Sequence, residues 1–332
     1  MKTKILLLIA LALPLWAVSQ NNKLPDLDIH LSSVQYPAEV HFLDLQIQEQ
    51  DLKMAYMDIH PEKANQKNIV LFHGKNFNGA YWETTSRELV RNGFRVIVPD
   101  QVGFGKSSKP EHLQYSFQQL AHNTKALLDT LGITHTFILG HSMGGMLATR
   151  FALMYPETTE KLILENPIGL EDYQKMVPYQ PVDYWYKNEL GQSYEKIKQY
   201  QLTFYYDNKW KPDYDRWLDL LAGWTINKDY PLIAWNAALT TDMIFTQPVV
   251  HEFHLLKCPT LLIIGTRDRT ALGKALATSR VQRTMGLYHE LGKKTHKTIP
   301  NSKLVELENI GHLPHIEAFD QFIQPLLEFL NK

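Results

Sequence analysis

Apolar and polar residues follow two patterns along the chain. Short unbroken apolar runs are typical of strands buried on both faces of a sheet, and they occupy residues 68–74, 95–100, 136–140, 161–165 and 259–265. Between them lie segments with helical periodicity. One is residues 116–132, which Ser116 would begin as an N-cap and Gly132 would end. Strands that alternate with helices predict an α/β fold with a mostly parallel, twisted sheet flanked by helices.

The two ends of the chain complete this alternation. Residues 40–60 alternate apolar and polar side chains with a period of two, which predicts a hairpin. Residues 303–309 predict a last strand, and residues 316–330 predict a last helix.

Residues 167–250 interrupt the alternation. They hold 10 of the 16 tyrosines and 5 of the 7 tryptophans. Such a composition predicts a small helical cap resting on the sheet, with most rings in packing and a few facing a cleft. The predicted domains are a signal peptide at 1–19, a lead-in at 20–37, a core in two parts at 38–166 and 251–332, and the cap at 167–250.

The first residues predict export. A positive start (Lys2, Lys4) precedes an apolar run at residues 5–16, and residues 17–19 have the small-x-small form of a cleavage site. The run is shorter than the roughly 20 residues needed to cross a bilayer. We therefore expect a cleaved signal peptide, a periplasmic or secreted protein, and no stable membrane span. The single cysteine, Cys258, is expected to be a buried, inert thiol.

Composition and motifs argue against several classes of function. The formal net charge of −1 gives no basis for attraction to nucleic acid. The two histidines of "HEFH", residues 251–254, lack the HExxH spacing or cysteine partners of a metal site. No phosphate-binding glycine loop is present, so we expect neither a metal nor a cofactor, and the sequence leaves the oligomeric state open.

The stretch "FILGHSMGGMLATRFAL", residues 137–153, carries a candidate nucleophile. Gly140-x-Ser142-x-Gly144 between a strand and a helix is the pattern of a nucleophile elbow. The turn is so tight that side chains two residues before and after the serine would collide, and glycine removes them. Ser142 is therefore predicted to stand at a helix N-terminus, where developing negative charge is stabilised.

A serine hydroxyl needs a base to take its proton. His312, in "NIGHLPHIEAF", follows the last predicted strand and so lies at the same sheet edge as Ser142. His315 is the alternative, although its place at the start of a helix favours packing or capping. His141, within the elbow, is expected to point inward and support the site.

The base in turn needs an acid that fixes its tautomer. Asp268, in "PTLLIIGTRDRTA", follows a strand, and the order Ser142, Asp268, His312 is the chain order expected when a serine elbow of this kind has an acid and a histidine as partners. Glu165, in "LILEN" after the preceding strand, is the alternative acid.

Two backbone N–H groups are candidates for stabilising an oxyanion. The N–H of Met143 follows the nucleophile, and the N–H of Lys75 follows the strand that ends in His73-Gly74. Gly74 would allow close approach, and His73 is expected to order this loop. Asp100, before two glycines, is expected to organise a turn.

The strings "LFHGKNFNGAYW", "VIVPDQVGFGKSS", "LGHSMGGMLATRFALMYP", "IIGTRDRTA" and "GHLPHIEAF" resemble the α/β-hydrolase superfamily, in its serine-nucleophile, cap-bearing branch. The resemblance covers residues 69–165 and 259–330. It implies Ser142 as nucleophile, His312 as base and Asp268 as acid. Ser142 stands where dehalogenases and epoxide hydrolases carry Asp, which argues against those activities. Lys75 replaces a residue that is often apolar, which places a cation near the cleft entrance.

The leading hypothesis is a serine hydrolase that cleaves carboxylic esters of small molecules with an apolar or aromatic part. The same triad would serve a C–C bond hydrolase, which needs polar cap groups for an enolate. It would also serve a proline iminopeptidase-like enzyme, for which Glu171, Asp172 and Asp183 are candidate amine ligands. A non-catalytic binding protein is the remaining class, and the intact set of three residues argues against it.

Overall fold

The computed structural model describes residues 24–332, so the predicted signal peptide lies outside the described residues. Eight strands form one sheet. They are β1 Val40–Ile47, β2 Gln50–Ile59, β3 Asn68–Phe72, β4 Arg95–Pro99, β5 Thr136–His141, β6 Thr159–Glu165, β7 Thr260–Gly265 and β8 Ser302–Leu307.

The sheet has the order β1-β2-β4-β3-β5-β6-β7-β8. The hairpin β1–β2 is antiparallel and joins β4 in antiparallel register, while the remaining neighbours are parallel. The predicted mostly parallel α/β sheet is therefore confirmed. Its parallel part brings the loops that follow β3, β5, β6, β7 and β8 to one edge.

Helices flank this sheet, as predicted. They are α1 Glu83–Arg91, α2 Phe117–Thr130, α3 Met143–Met154, α4 Val182–Leu190, α5 Tyr194–Phe204, α6 Asp215–Ala222, α7 Tyr230–Thr246, α8 Ser279–Gln282, α9 Tyr288–Thr298, α10 Pro314–Glu317 and α11 Phe319–Leu330. Ser116 caps α2 by accepting a hydrogen bond from Gln119 N. None of the helices in residues 24–332 is long and apolar enough to cross a membrane.

The core lies on both faces of the sheet. Along β3, Ile69 and Leu71 pack into one apolar layer, whereas Val70 and Phe72 pack into the other. This division follows from the alternation of side chains along a strand, and it explains why the parallel strands are unbroken apolar runs.

The chain between β6 and β7 carries α4–α7, and we call residues 167–250 the helical insertion. The segment before β1 packs against this helical insertion and is not a loose lead-in. Leu27 and Leu31 are buried, Leu27 N donates to Gly223 O (3.2 Å), and Trp224 Nε1 donates to Asp28 O (2.9 Å). Apolar residues spaced four apart in this short segment explain the packing, which its prolines and polar residues concealed in the sequence.

The predicted last helix is present as α11, but it begins at Phe319 and not at residue 316. A short helix, α10, precedes it, and Ala318 between them has non-helical backbone angles (φ −145°, ψ 57°). Glu317, the last residue of α10, forms an ion pair with Arg267 and accepts a hydrogen bond from Gly311 N (2.7 Å). These contacts with distant loops fix the end of α10 and outweigh the local helical periodicity.

Candidate active site

The turn between β5 and α3 has the strained geometry expected of a nucleophile elbow. Ser142 has φ +57° and ψ −122°, a conformation that a non-glycine residue rarely adopts. A Cβ on Gly140 would overlap Gly144 O, and one on Gly144 would overlap Phe72 O. The two glycines therefore permit the turn that raises Ser142 at the N-terminus of α3.

Three side chains from three different loops meet at this elbow. His312 Nε2 lies 3.0 Å from Ser142 Oγ, and His312 Nδ1 lies 2.6 Å from Asp268 Oδ2. Because a carboxylate only accepts, Nδ1 carries the proton and Nε2 is free to accept from the serine hydroxyl. All three residues are buried, with Ser142 only 5% exposed. The structure thus brings together the three residues that the sequence predicts as catalytic.

Asp268 is held as a carboxylate by three partners. Oδ2 lies within hydrogen-bonding distance of His312 Nδ1 and Asn166 Nδ2 (2.8 Å), while Oδ1 accepts from Thr270 N (2.8 Å). Burial opposes the charge, but the nearby His312 and these donors together hold the pKa of Asp268 below its usual value. Asp268 is therefore the negatively charged partner of His312.

Asn166 links the loops that carry the acid and the base. It follows β6 in a left-handed conformation (φ +35°) and is fully buried. Its Nδ2 donates to Asp268 Oδ2 and to Gly311 O (3.1 Å), and its Oδ1 accepts from Gly265 N (2.8 Å). The sequence analysis missed this residue, and its position directly after β6 was the only available signal.

The two alternative residues, Glu165 and His315, bind each other. Glu165 Oε1 accepts from His315 N (2.9 Å) and from His315 Nδ1 (2.8 Å), and the His315 ring stacks on Trp82 with centroids 4.6 Å apart. Neither side chain has a hydrogen bond to Ser142 or His312 among the described contacts, although the backbone carbonyl of Glu165 accepts from Ser142 N (3.2 Å). The geometry therefore favours Asp268 and His312 over these alternatives.

His141 lies between the two acid–histidine pairs. Its Nε2 donates to His312 O (2.8 Å), and its ring centroid is 4.9 Å from that of His312 and 5.0 Å from that of His315. Burial, followed by repulsion from His312 and His315, holds the pKa of His141 well below its usual value. His141 is thus a neutral donor beneath the base, in keeping with its predicted inward orientation.

The loop after β3 runs directly beside the nucleophile. A Cβ on Gly74 would stand 2.8 Å from Ser142 Cβ and 3.2 Å from Ser142 Oγ, so only glycine allows this approach. His73 orders the loop, because its Nδ1 donates to Gly74 O (2.9 Å) and its Nε2 accepts from Gln101 N (3.0 Å). The backbone of Lys75 is thereby carried to the mouth of the elbow.

Two further side chains near this loop have structural partners. Lys75 Nζ forms an ion pair with Glu189 Oε1 of α4 (2.6 Å), so the predicted cation at the cleft is neutralised by the insertion. Asp100 accepts from Gly79 N (2.6 Å), Lys106 N (2.7 Å) and Tyr36 Oη (2.7 Å), which agrees with its predicted role as a turn organiser.

A cavity of about 380 Å³ lies between the core and the insertion. Its wall is mostly apolar and aromatic, and it includes Phe77, Gln201, Tyr205 and Trp224. Ser142 is not part of this wall, but Tyr205 connects the two places because its ring stacks on His312 with centroids 4.9 Å apart. The cavity therefore begins next to the base.

The core fixes Tyr205 in place. Arg267 Nη1 donates to Tyr205 O (3.2 Å), and a Cβ on Gly311 would overlap that same oxygen. Gly311 directly precedes His312, so the end of α5 and the base share one contact. Sequence reasoning anticipated that some aromatic residues of the insertion would face the cleft, but it had no signal that singled out Tyr205.

Three acidic residues proposed as amine ligands lie elsewhere. Glu171 Oε1 accepts from Gly286 N (2.9 Å), and Asp172 is paired with His251 and Lys175. Asp183 is likewise absent from the wall of the cavity. Among the described residues that line this cavity, Glu189 is the one carboxylate, and it is paired with Lys75.

Cys258 is half-buried rather than buried as predicted. Burial of its thiol raises the pKa of Cys258 to about 11, so it is protonated at neutral pH. The expectation of an inert thiol therefore agrees with its surroundings.

These features define a hydrolase-type site on a mostly parallel α/β sheet, and comparison with known proteins identifies the family. The sequence profile described as alpha/beta hydrolase fold matches residues 67–192. A 2-hydroxy-6-oxo-6-phenylhexa-2,4-dienoate hydrolase of Comamonas testosteroni is 31% identical over 293 residues, covering 86% of this chain and 95% of that protein. The chain belongs to the α/β-hydrolase family.

Two other similarities bear on its activity. The crystal structure of a probable hydrolytic enzyme from Pseudomonas aeruginosa superposes with a TM-score of 0.91 at 51% identity, covering 92% of this chain and 98% of that one. A proline iminopeptidase of Lactobacillus helveticus is 25% identical over 83% of this chain and 94% of its own length. These relatives support a hydrolase and leave the bond that it cleaves open.

Proposed function

We propose that this protein is a serine hydrolase that cleaves carboxylic esters through an acyl-enzyme. The observation that carries the proposal is the continuous chain from Asp268 through His312 to Ser142 Oγ, with contacts of 2.6 and 3.0 Å. Nucleophile and base lie within hydrogen-bonding reach, and the base is oriented by a buried carboxylate.

The first half of the reaction transfers the acyl group to the enzyme. His312 Nε2 takes the hydroxyl proton as Ser142 Oγ attacks the carbonyl carbon, and Asp268 stabilises the resulting imidazolium. The tetrahedral intermediate collapses when His312 donates that proton to the alkoxide oxygen, and the alcohol leaves. In the second half, His312 takes a proton from water, the hydroxide attacks the acyl carbon, and the proton returns to Ser142 as the acid departs.

The negative charge of each tetrahedral intermediate needs fixed donors. We assign this role to the backbone N–H groups of Met143 and Lys75. Met143 is the first residue of α3, where the N–H has no partner within the helix and the helix dipole favours an anion. Lys75 follows Gly74, whose close approach to Ser142 carries this N–H to the reacting carbonyl. One such donor contributes about 3–4 kcal/mol to transition-state stabilisation.

The helical insertion acts as a cap in this proposal. It supplies most of the wall of the 380 Å³ cavity, including the aromatic residues Tyr205 and Trp224. A wall of this kind fits the apolar or aromatic part of a small ester. Peptidase activity is disfavoured because the carboxylate in the wall, Glu189, already neutralises Lys75 and is not free to bind an amine.

Substitution of the nucleophile tests the proposal. Ser142→Ala is expected to lower the kcat for p-nitrophenyl esters by at least about 10⁴-fold, because no covalent intermediate can form. The wild type should be labelled at Ser142 by a fluorophosphonate, and the variant should keep its thermal midpoint. Wild-type turnover in the alanine variant would refute the proposal. Parallel assays with a vinylogous diketone and a prolyl anilide determine whether a C–C or amide bond is preferred.

Export remains part of the proposal. The pattern at residues 1–19 supports a signal peptide cut near Ser19. Mass spectrometry of the N-terminus of the protein purified from its native cell fraction tests this, and an intact N-terminus would refute it.

A further inference from the structure

One polar side chain in the cavity wall has no role in the reaction described above. Gln201 belongs to α5 and is 3% exposed. Its Oε1 is fully buried and has no hydrogen-bond partner among the described residues, so a substrate in the cavity reaches it only when the terminal amide rotates. A buried acceptor without a partner costs about 1–3 kcal/mol, so such a group is rare unless it serves a ligand.

The position of Gln201 relates it to the proposed nucleophile. Tyr205 N donates to Gln201 O (2.8 Å), so the two residues are one helical turn apart, about 6 Å along the axis. The ring of Tyr205 stacks on His312. A substrate whose carbonyl carbon lies at Ser142 would therefore reach Gln201 several bonds away from the bond that is cleaved.

The surroundings of Gln201 explain why its amide would dominate the recognition of polar groups on a substrate in this part of the cavity. The neighbouring wall consists largely of apolar and aromatic side chains, among them Ile197, Leu221, Trp224 and Ile233. A hydrogen bond to a polar atom on an otherwise apolar wall contributes more to binding than the same hydrogen bond in water, because few competing partners are available there.

We propose that Gln201 is a specificity-determining residue that accepts a hydrogen bond from a neutral donor on the substrate. The inference rests on the proposed ester hydrolysis. It names the substrate class as mainly apolar esters that carry one hydroxyl or amide N–H several bonds from the scissile carbonyl. A cationic donor is disfavoured because Lys196 also lines the cavity and the wall carboxylate, Glu189, is already paired with Lys75.

Paired substrates and an isosteric variant test this inference. The substrates are p-nitrophenyl octanoate and its derivatives with a hydroxyl at successive carbons, followed by an amide and an ammonium analogue at the preferred position. The variants are Gln201→Met, which keeps the volume and removes the acceptor, and Gln201→Glu, which keeps an acceptor. Gln199→Met is the matched control, because Gln199 lies exposed on the same helix.

The wild type is expected to prefer one hydroxyl position over the unsubstituted ester by about tenfold to a hundredfold in kcat/KM. Gln201→Met should abolish this preference, measured as the ratio of kcat/KM for the hydroxylated and unsubstituted esters within the same variant, while Gln199→Met should behave as wild type. Equal preference in the wild type and in Gln201→Met, no preferred position, or a greater preference for the ammonium analogue would each overturn the inference.

A binding measurement separates this inference from the proposed reaction. Calorimetry of Ser142→Ala with octanoate and the matching hydroxyoctanoate should give tighter binding of the hydroxy acid, and adding Gln201→Met should remove the difference. Loss of fluorophosphonate labelling in the wild type would refute the proposed reaction alone. Equal binding of the two acids in both proteins would refute the role of Gln201, and unchanged thermal midpoints show that the variants are folded.

Discussion

Two buried acid–histidine pairs lie side by side at the C-terminal edge of the sheet. In the Asp268–His312 pair the second ring nitrogen meets a serine hydroxyl, whereas in the Glu165–His315 pair the imidazole stacks on Trp82. Both pairs are almost fully enclosed. A carboxylate beside a histidine is therefore common to both, and what distinguishes the first pair is a serine hydroxyl placed by a strained turn.

The two carboxylates also differ in how many of their oxygens have a hydrogen-bond partner. Both oxygens of Asp268 have hydrogen-bond partners, whereas Glu165 Oε2 is buried without one among the described residues. A carboxylate that is satisfied at both oxygens is held in one orientation, as a base-orienting acid must be. Glu165 instead binds both the backbone and the ring of His315 and so fixes the start of α10.

The largest expected difference between the pairs is in catalysis. Asp268→Asn should lower kcat for p-nitrophenyl esters by about 10⁴-fold, because the amide favours the wrong tautomer of His312. Glu165→Gln should leave kcat/KM within about threefold of wild type. Steady-state kinetics of the two variants, measured at one pH, compare the contributions of the two pairs to turnover. Equal losses would mean that the two pairs act as one unit.

A smaller effect is expected from the residue that holds Asp268. Asn166→Asp keeps the size and the tolerance of a left-handed backbone but places a second carboxylate beside the first. We expect a loss of about tenfold to a hundredfold in kcat. Asn166→Ala should also lower kcat in steady-state kinetics, and wild-type kcat in both variants would contradict the positioning role.

The Glu165–His315 pair should matter for stability rather than for turnover. Glu165→Gln is expected to lower the free energy of unfolding by about 1–3 kcal/mol, because a buried charge-assisted hydrogen bond is replaced by a neutral one. Urea titration monitored by tryptophan fluorescence measures the change. Glu308→Gln, at an exposed carboxylate, serves as the control and should be neutral. An unchanged midpoint for Glu165→Gln would show that the pair contributes nothing to folding.

The histidine between the pairs should give the smallest effect, confined to acid pH. Because the folded state keeps His141 neutral, it binds fewer protons than the unfolded chain below about pH 6.5. Stability should therefore fall as the pH decreases through that range, by up to about 1.4 kcal/mol per pH unit for this group. His141→Gln should reduce the slope of unfolding free energy against pH, whereas His254→Gln, at an exposed histidine, should not.

The sequence predicted the parts of the molecule that follow local rules. The elbow was predicted because Gly140 and Gly144 satisfy a steric requirement two residues away, and Asp268 and His312 because loops after parallel strands share one edge. Asn166, Tyr205 and Gln201 could not be singled out in this way. Their roles depend on partners brought close by tertiary structure, such as Asp268 for Asn166 and His312 for Tyr205.

The same limit explains the errors at the two ends of the chain. The helical periodicity of residues 316–330 carried no sign of the break at Ala318, which depends on contacts of Glu317 with Arg267 and Gly311. Leu27 is buried and bonded to Gly223 of the helical insertion, a contact that the polar character of residues 20–37 did not reveal.

The crowding at Gly311 has a wider consequence. This glycine touches the carbonyl of Tyr205 on one side and is bonded to His312 on the other, without space for a single methyl group between them. The end of α5 therefore cannot move closer to this loop without pushing on the residue that precedes His312. A substrate that enters through the insertion would therefore need the helices farther from Tyr205 to move while the end of α5 stays in place. The route into the pocket could then open without changing the alignment of the proton acceptor.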